Sequence, residues 1–520
     1  GAGDNHSTGG DSTKKEEEDG PKEQVKKLFS YSNIDLIQGR SVTAMVWNAV
    51  SSDLLAVGYG KLDQIVDVYK PGEALDEEQQ GGLVLFWSLR NPDYPEKILR
   101  TPHPVTALDF SKQNPMTLAV GLLNGDVNVY DVRREGAKWG VPVESSAGMP
   151  GGHTDPVWQL KWIIKGVERL ETLVSISTDG RVLEWNLKKG LVVSSLMQLK
   201  KSGTGEGWIS NSAAGLSLDF HPTDPSTYIT GTEDGSLHRC SVSYNEQYLE
   251  SYQGHEGPVY RVRFSQRWPS LFLTCSADWN INVYHTQFRQ PLLSIRGTGE
   301  NFPINDISWC PDNATVFADV TVDAKLQIWD LSVSSIDPVV TVDTSLEEDP
   351  STVAAALAAA QAAAGAGNTG PGGGEAGAGG DGWEDDEAGG VGVIKDPNDL
   401  TGISPPSSPT LLNTRYGDGR LDHTQKEDNS APLNKIIKNL SLGTKKKVLT
   451  TVLFGEKNPC VAVGDNRGTV SIYRVFDPVT ITHLGPLQQY EKIKKAVLQQ
   501  TDPASATMLQ TLDSNEEEKA

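Results

Sequence analysis

The feature that most constrains this chain is a short segment that recurs along it. Each copy is an apolar run ending in small residues, then a turn built on Asp or Asn, then an alternating run that usually ends in an aromatic. The copies are LAVGLLNGDVNVYD (118–131), LVSISTDGRVLEWN (173–186), YITGTEDGSLHRCS (228–241), FLTCSADWNINVYH (272–285), VFADVTVDAKLQIWD (316–330) and VAVGDNRGTVSIYR (461–474). A first copy, LLAVGYG (54–60) with GGLVLFWSL (81–89), is split by about twenty residues. An Asp-Gly turn between two such runs predicts a hairpin, because Gly tolerates positive φ. Within Arg181–Trp185, Val182 and Glu184 share one face while Leu183 and Trp185 share the other, the period of a strand. A further strand is expected before each hairpin: Val42–Trp47, Val105–Phe110, Val157–Trp162, Leu216–Phe220, Val259–Phe264, Ile304–Trp309 and Val448–Phe454. Short strands at this spacing build four-stranded blades, and seven blades close a ring that leaves no long sheet edge exposed.

The turn positions Asn124, Asp179, Asp234, Asp278 and Asp323 are 55, 55, 44 and 45 residues apart, and the next turn, near Asn466, lies 143 residues on. The array is therefore interrupted once, by about 99 residues beyond an ordinary repeat. Between Leu346 and Ile394 there are nine acidic residues and no Lys or Arg, with an Ala-rich run (Ala354–Ala364) and a Gly-rich run; this stretch cannot build a core. The Ala run has the composition of a short, marginal helix. The expected organisation is an all-β, seven-bladed β-propeller: a disordered segment 1–25, blades one to six over 26–339, the low-complexity acidic insert 340–446, blade seven over 447–485, and a C-terminal helix and tail over 486–520. The helix is read from Tyr490, Ile493 and Val497 within Tyr490–Gln500. Two segments compete for the outer strand of blade seven, Val25–Ser32 and Val479–His483. Ser404 and Ser408, each followed by Pro, are candidate phosphorylation sites in the insert. The plainer reading of the insert is a solvated loop between blades; the sharper one is a docking or regulated loop.

Composition narrows the function. A net charge of −22 repels phosphate backbones, so no nucleic-acid partner is expected. Cys240, Cys275, Cys310 and Cys460 are far apart and form no CxxC pair, so they are read as reduced core residues and not as a metal or disulfide set. No apolar run approaches the ~20 residues of a membrane helix, and no secretory signal is visible, so no membrane contact is expected. The chain starts at Gly1, not Met, and is expected to be part of a longer one. GxxxxGK[ST], HExxH and GxSxG are all absent. The expectation is a protein that is not an enzyme and holds no cofactor or metal.

Gly152-His153 and Gly254-His255, each just before a blade's first strand, and the dipeptide Trp329-Asp330 resemble WD-repeat signatures. In that family the His, the turn Asp and the aromatic join a buried network that locks each blade. Carried over, the resemblance implies His153, Asp179 and Trp185 in blade three, His255, Asp278 and Tyr284 in blade five, and Asp323 with Trp329 in blade six. Blade four has Cys240 in place of the aromatic, and blade seven lacks the GH pair, so both should be less tightly specified. The residue after the first core apolar position tends to face a partner in WD repeats; here these are Thr43, Thr106, Trp158, Ser217, Tyr260 and Asn305. Trp158 and Tyr260, together with Trp279 at a turn where Gly is usual, are the candidate partner-binding residues, because aromatic anchors dominate interfaces. The plainer reading has them packed between blades.

Runs such as SVTAMVWNAVSSDLLAVGYG (41–60), GLVLFWSLRNPDYPE (82–96), HTDPVWQLKW (153–162) and GTEDGSLHRCSVSYNEQYLESYQGHEGPVYRVRF (231–264) resemble axonemal dynein intermediate chains. Within that family, the CSVSYNEQYLESY run most resembles the regulatory intermediate chain of the two-headed inner-arm dynein f. The resemblance implies a non-catalytic scaffold and regulatory subunit of a ciliary or flagellar inner-arm dynein motor, assembled in the cytoplasm and working in the axoneme. It implies a propeller bound to the dynein heavy-chain tail beside a second intermediate chain, and dynein light chains bound through an N-terminal region not in this sequence. The alternatives are an outer-arm or cytoplasmic dynein intermediate chain, or an unrelated WD-repeat adaptor.

Overall fold

In the computed structural model, the described residues are 25–61 (apart from 38), 81–201 (apart from 167, 168 and 189), 212–296, 301–346, 446–476, 484–501, 503, 506 and 507. All belong to one compact unit; residues 349–444 form a second unit that lies outside the described residues, as do Ser404 and Ser408 and the segment Val479–His483. The unit is a seven-bladed β-propeller: seven four-stranded antiparallel sheets. Below, the strands of a blade are a to d, with a innermost. The a strands are Ser41–Trp47, Val105–Phe110, Val157–Lys165, Gly215–Phe220, Val259–Phe264, Ile304–Trp309 and Leu449–Phe454, close to the seven expected from the sequence.

The b strands explain the apolar runs. Leu271–Ser276, Val316–Thr321 and Cys460–Asp465 are buried at every residue, because each is covered on both faces by neighbouring blades. Glycine in these strands marks where blades meet. A Cβ on Gly58, Gly121, Gly231 or Gly464 would come within 2.7, 3.0, 2.7 or 2.5 Å of Val105, Val157, Val259 or Val42, the leading valine of the next a strand. Removing the side chain lets that valine nest against the strand.

Blade seven takes its outer strand from the other end of the chain. Val25–Tyr31 pairs with Val470–Val475, Phe29 opposite Ile472 and Tyr31 opposite Val470. The first of the two competing segments therefore closes the ring, and residue 25, expected in the disordered segment, starts a strand. Tyr31 is fully buried and stacks on Trp87 of blade one, 4.9 Å between ring centroids, so the closing strand is also packed sideways. The insert begins later than expected. Val340–Asp343 is strand d of blade six, with Leu326 opposite Val342; its alternation is too short to stand out before the acidic run.

Strand direction alternates, so a–b and c–d connections lie at one end of the ring and b–c and d–a connections at the other. The C-terminal helix, Pro486–Gln500, sits at the first end. Its Ile493, Ala496 and Val497 are buried against Trp268, Ala314 and Leu331 of blades five and six, and Tyr490 meets Trp268 edge-on.

Candidate functional site

Blade three shows the lock most fully. The His153 Nδ1 and Asp179 Oδ2 are 2.9 Å apart, His153 Nε2 and Ser175 Oγ 2.7 Å, and the Trp185 Nε1–H donates to Ser175 Oγ at 2.8 Å. Asp179 also accepts from the backbone N–H of Arg181 and from its guanidinium. Burial opposes the charge on Asp179, but His153 and Arg181 outweigh it and hold the carboxyl at about 2. In blade five the His255 Nδ1 lies 2.9 Å from Asp278 and its Nε2 2.7 Å from Thr274 Oγ1. Tyr284 does not reach Thr274. Its hydroxyl donates to the Gln253 carbonyl at 2.8 Å and accepts from Asn282, which lies beside the His255 ring.

Blade six departs from the expectation. Asp323 and Trp329 are not joined: Asp323 holds Thr321 and Lys325, while the Trp329 Nε1–H donates to Asp319 at 2.6 Å. The reason is positional. Ser175, Thr274 and Asp319 each stand four residues before the turn Asp, so an acid occupies the hydroxyl's place and takes the indole directly. Asp319 is fully buried, its Oδ2 has no partner among the described residues, and burial pushes its carboxyl up to about 7. The hydroxyl of the lock went unread in the sequence; its signal was that fixed offset of four.

A second set of contacts, also unread, stitches neighbouring blades around the central channel. Asp109 accepts the Trp162 backbone N–H at 2.7 Å, Gln159 the Leu218 N–H at 3.1 Å, and Asp219 the Phe264 N–H at 2.8 Å. Arg261 pairs with Asp306 at 3.1 Å, and Asp306 accepts the Val452 N–H at 3.2 Å. Five successive interfaces, from blade two to blade seven, are thus bridged at the inner strands.

The partner-facing positions are defined by a repeated bulge. In every blade the a–b register shifts at the second residue of the interface, which leaves Thr43, Thr106, Trp158, Leu216, Tyr260, Asn305 and Thr450 outside the ladder. A bulge re-aims a side chain. In blade four this residue is Leu216 and not Ser217, whose hydroxyl is buried against the Val259 carbonyl. Trp158 is half-buried, and its indole N–H has no acceptor among the described residues. Tyr260 is partly buried against the core of blades five and six. Trp279 is not fully exposed, as its turn position suggested; it is half-buried, with the Arg296 guanidinium 5.9 Å from its ring. Its backbone is at φ +71°, where blades two, three, four and seven have Gly125, Gly180, Gly235 and Gly468 and blade six has Ala324. All three aromatics lie at the b–c and d–a end of the ring, opposite the C-terminal helix.

Among the described residues no three His, Cys, Asp or Glu side chains gather as a metal site, and no helix is long and apolar enough to cross a membrane. All four cysteines are free and buried.

His–Asp locks in repeated hairpins, closed by a strand from the opposite terminus, define a WD40 β-propeller. A family model for the WD domain G-beta repeat matches residues 246–285, and the β-propeller domain of Myceliophteria thermophila Cps50 (Swd1) shares the fold. That structure superposes with a TM-score of 0.51 at 11% identity, covering 87% of this chain and 100% of the other. The family model for the dynein axonemal intermediate chain 3 WD40 domain matches residues 23–149. Dynein axonemal intermediate chain 4 of Mus musculus is 40% identical over 333 residues, which is 61% of this chain and 39% of the relative. The 78 kDa intermediate chain of the flagellar outer arm of Chlamydomonas reinhardtii is 34% identical over 316 residues, 58% of this chain and 44% of the relative. The propeller is similar in sequence to those of axonemal dynein intermediate chains. The chain spans about two fifths of the length of these curated relatives.

Proposed function

We propose that the chain is a non-catalytic scaffold and regulatory subunit of a ciliary inner-arm dynein, assembled in the cytoplasm and carried to the axoneme. Its propeller grips the heavy-chain tail at the b–c and d–a end of the ring, beside a second intermediate chain. The observation that carries this reading is Trp279. An L side chain at φ +71° costs about 1–2 kcal/mol, a cost that blades two, three, four and seven avoid with Gly and that blade six carries with Ala324 at φ +68°. Strain of this kind persists where a surface is used. Trp158 and Tyr260, both half-buried, stand at the same end of the ring.

The test is Trp279→Gly, made alone and with Trp158→Ala. Trp279→Gly leaves the melting temperature unchanged or raises it, while heavy-chain-tail affinity falls; the double variant loses ~2–4 kcal/mol of binding. Unchanged affinity of the double variant in a pull-down titration removes these residues from the interface. The likeness to an outer-arm chain of Chlamydomonas reinhardtii keeps an outer-arm assignment as the second reading. The heavy chain that copurifies from axonemes decides between the two arms.

A further inference from the structure

A cleft of about 560 Å³ opens at the opposite end of the ring, among the a–b connections of blades two to five. Its floor is apolar, formed by Ile164, Phe220 and Phe264 with Pro222 beside them. Three cations line it, Lys112, Lys161 and Arg169, against one carboxylate, Asp219, among the described lining residues. Asp219 is already engaged: it pairs with Lys161 at 3.3 Å and accepts the Phe264 N–H. Burial lowers the His221 pKa, which keeps that ring from adding charge. Lys112 and Arg169 are exposed and have no ion-pair partner among the described residues.

The backbone that carries these two cations is fixed. Glu171, the nearby acid, is turned onto the blade-two loop, where the Lys112 N–H donates to it at 2.6 Å and the Ser111 hydroxyl and Gln113 N–H also bind it. The Gln113 side-chain amide donates to the Arg169 carbonyl, fixing a residue whose backbone is at φ +51°. The loop that carries one cation is thereby tied to the turn that carries the other. Cations on an anchored backbone beside an apolar floor suit a ligand with the same two chemistries.

We propose that this cleft receives an acidic peptide segment of a partner protein, a carboxylate meeting Lys112 and Arg169 and an apolar side chain seated on Phe220 and Phe264. The choice of occupant rests on charge: in a chain of net charge −22, this is a concavity with an excess of cations. The proposal is independent of the reading above, because the two surfaces lie at opposite ends of the ring.

The test uses the full chain and three fluorescent twelve-residue peptides: one of Glu and Leu, one with Gln for Glu, and one with Lys for Glu. The acidic peptide binds saturably, at least tenfold tighter than the Gln peptide, and its affinity falls as salt rises. The Lys peptide does not bind. Lys112→Glu combined with Arg169→Glu lowers acidic-peptide affinity at least tenfold at an unchanged melting temperature, since both side chains are exposed. Trp158→Ala, at the far end, has no effect on it. Equal binding of the three peptides, equal binding by the charge-reversed variant, or no saturable binding overturns the proposal.

Discussion

Ser175→Ala should destabilise the propeller about twice as much as Thr274→Val, although both remove one hydroxyl from the same position of a blade. Ser175 is completely buried and serves two partners, His153 Nε2 at 2.7 Å and Trp185 Nε1 at 2.8 Å. The Ser175 oxygen accepts the indole N–H and its hydroxyl lies within hydrogen-bonding distance of His153 Nε2, on a ring whose Nδ1 faces the Asp179 carboxylate. Alanine leaves both groups buried without a partner. Each orphaned group costs about 1–3 kcal/mol, so a total of ~3 kcal/mol is expected. Thr274 serves His255 Nε2 alone among side chains, since the Tyr284 hydroxyl has gone to Gln253, and one orphan costs ~1.5 kcal/mol. For a propeller of this size the specific unfolding entropy converts these to shifts of about 4 and about 2 °C. Thermal unfolding followed by intrinsic fluorescence at neutral pH reads both. Equal shifts, or a Ser175→Ala shift below about 1 °C, refute the reasoning that one hydroxyl bridges imidazole and indole. A Ser175→Ala, Asp179→Ala double variant should lose less than the sum of the two singles, because both act on His153.

Three further outcomes follow from the same contacts. Asp179, held at about 2 in the folded chain against an ordinary value near ~3.9, contributes stability that is present above that ordinary value and is lost as pH falls toward 2. The stability gap between the parent and Asp179→Asn should therefore narrow between pH 4 and 2 in denaturant titrations; a constant gap counts against the charge assignment. Deleting residues 25–31 removes the buried Tyr31 and the fourth strand of blade seven, and should cost more than ~3 kcal/mol, with early protease cleavage in blades seven and one. A digestion pattern like the parent's would show that the ring does not depend on this closure. Asp219→Ala leaves the Phe264 N–H and Lys161 unpaired and should cost ~2–4 kcal/mol, whereas Glu256→Ala, at an exposed residue, should cost under ~0.5 kcal/mol.

Much of the fold is legible in particular residues. The leading apolar positions Val42, Val105, Val157, Val259 and Ile304 each begin or sit at the start of an a strand, and the turn residues fall between strands b and c. His153, Asp179 and Trp185 are brought together as the WD-repeat resemblance implied. Legibility stops where one residue replaces another in a shared position. Nothing local says that Asp319 stands where Ser175 and Thr274 stand, or that Tyr284 turns to a backbone carbonyl; both follow from which atoms meet inside the folded blade. Ser217 was one residue off because the register shift in blade four follows Gly215, whose missing side chain hides the start of that strand.

What the amino-acid order determines alone is the repeated unit: hairpin turns, strand periodicity, and the interruption after blade six. These depend on residues within a few positions of one another, so local conformational preference is enough to write them. Tertiary structure decides everything that crosses a blade boundary. It chooses Val25–Tyr31 as the closing strand, aims Asp109, Asp219 and Asp306 at backbone N–H groups of the next blade, and ties Lys112 and Arg169 into one cleft. Those partners are tens to hundreds of residues apart, and only closure of the ring brings them within hydrogen-bonding distance.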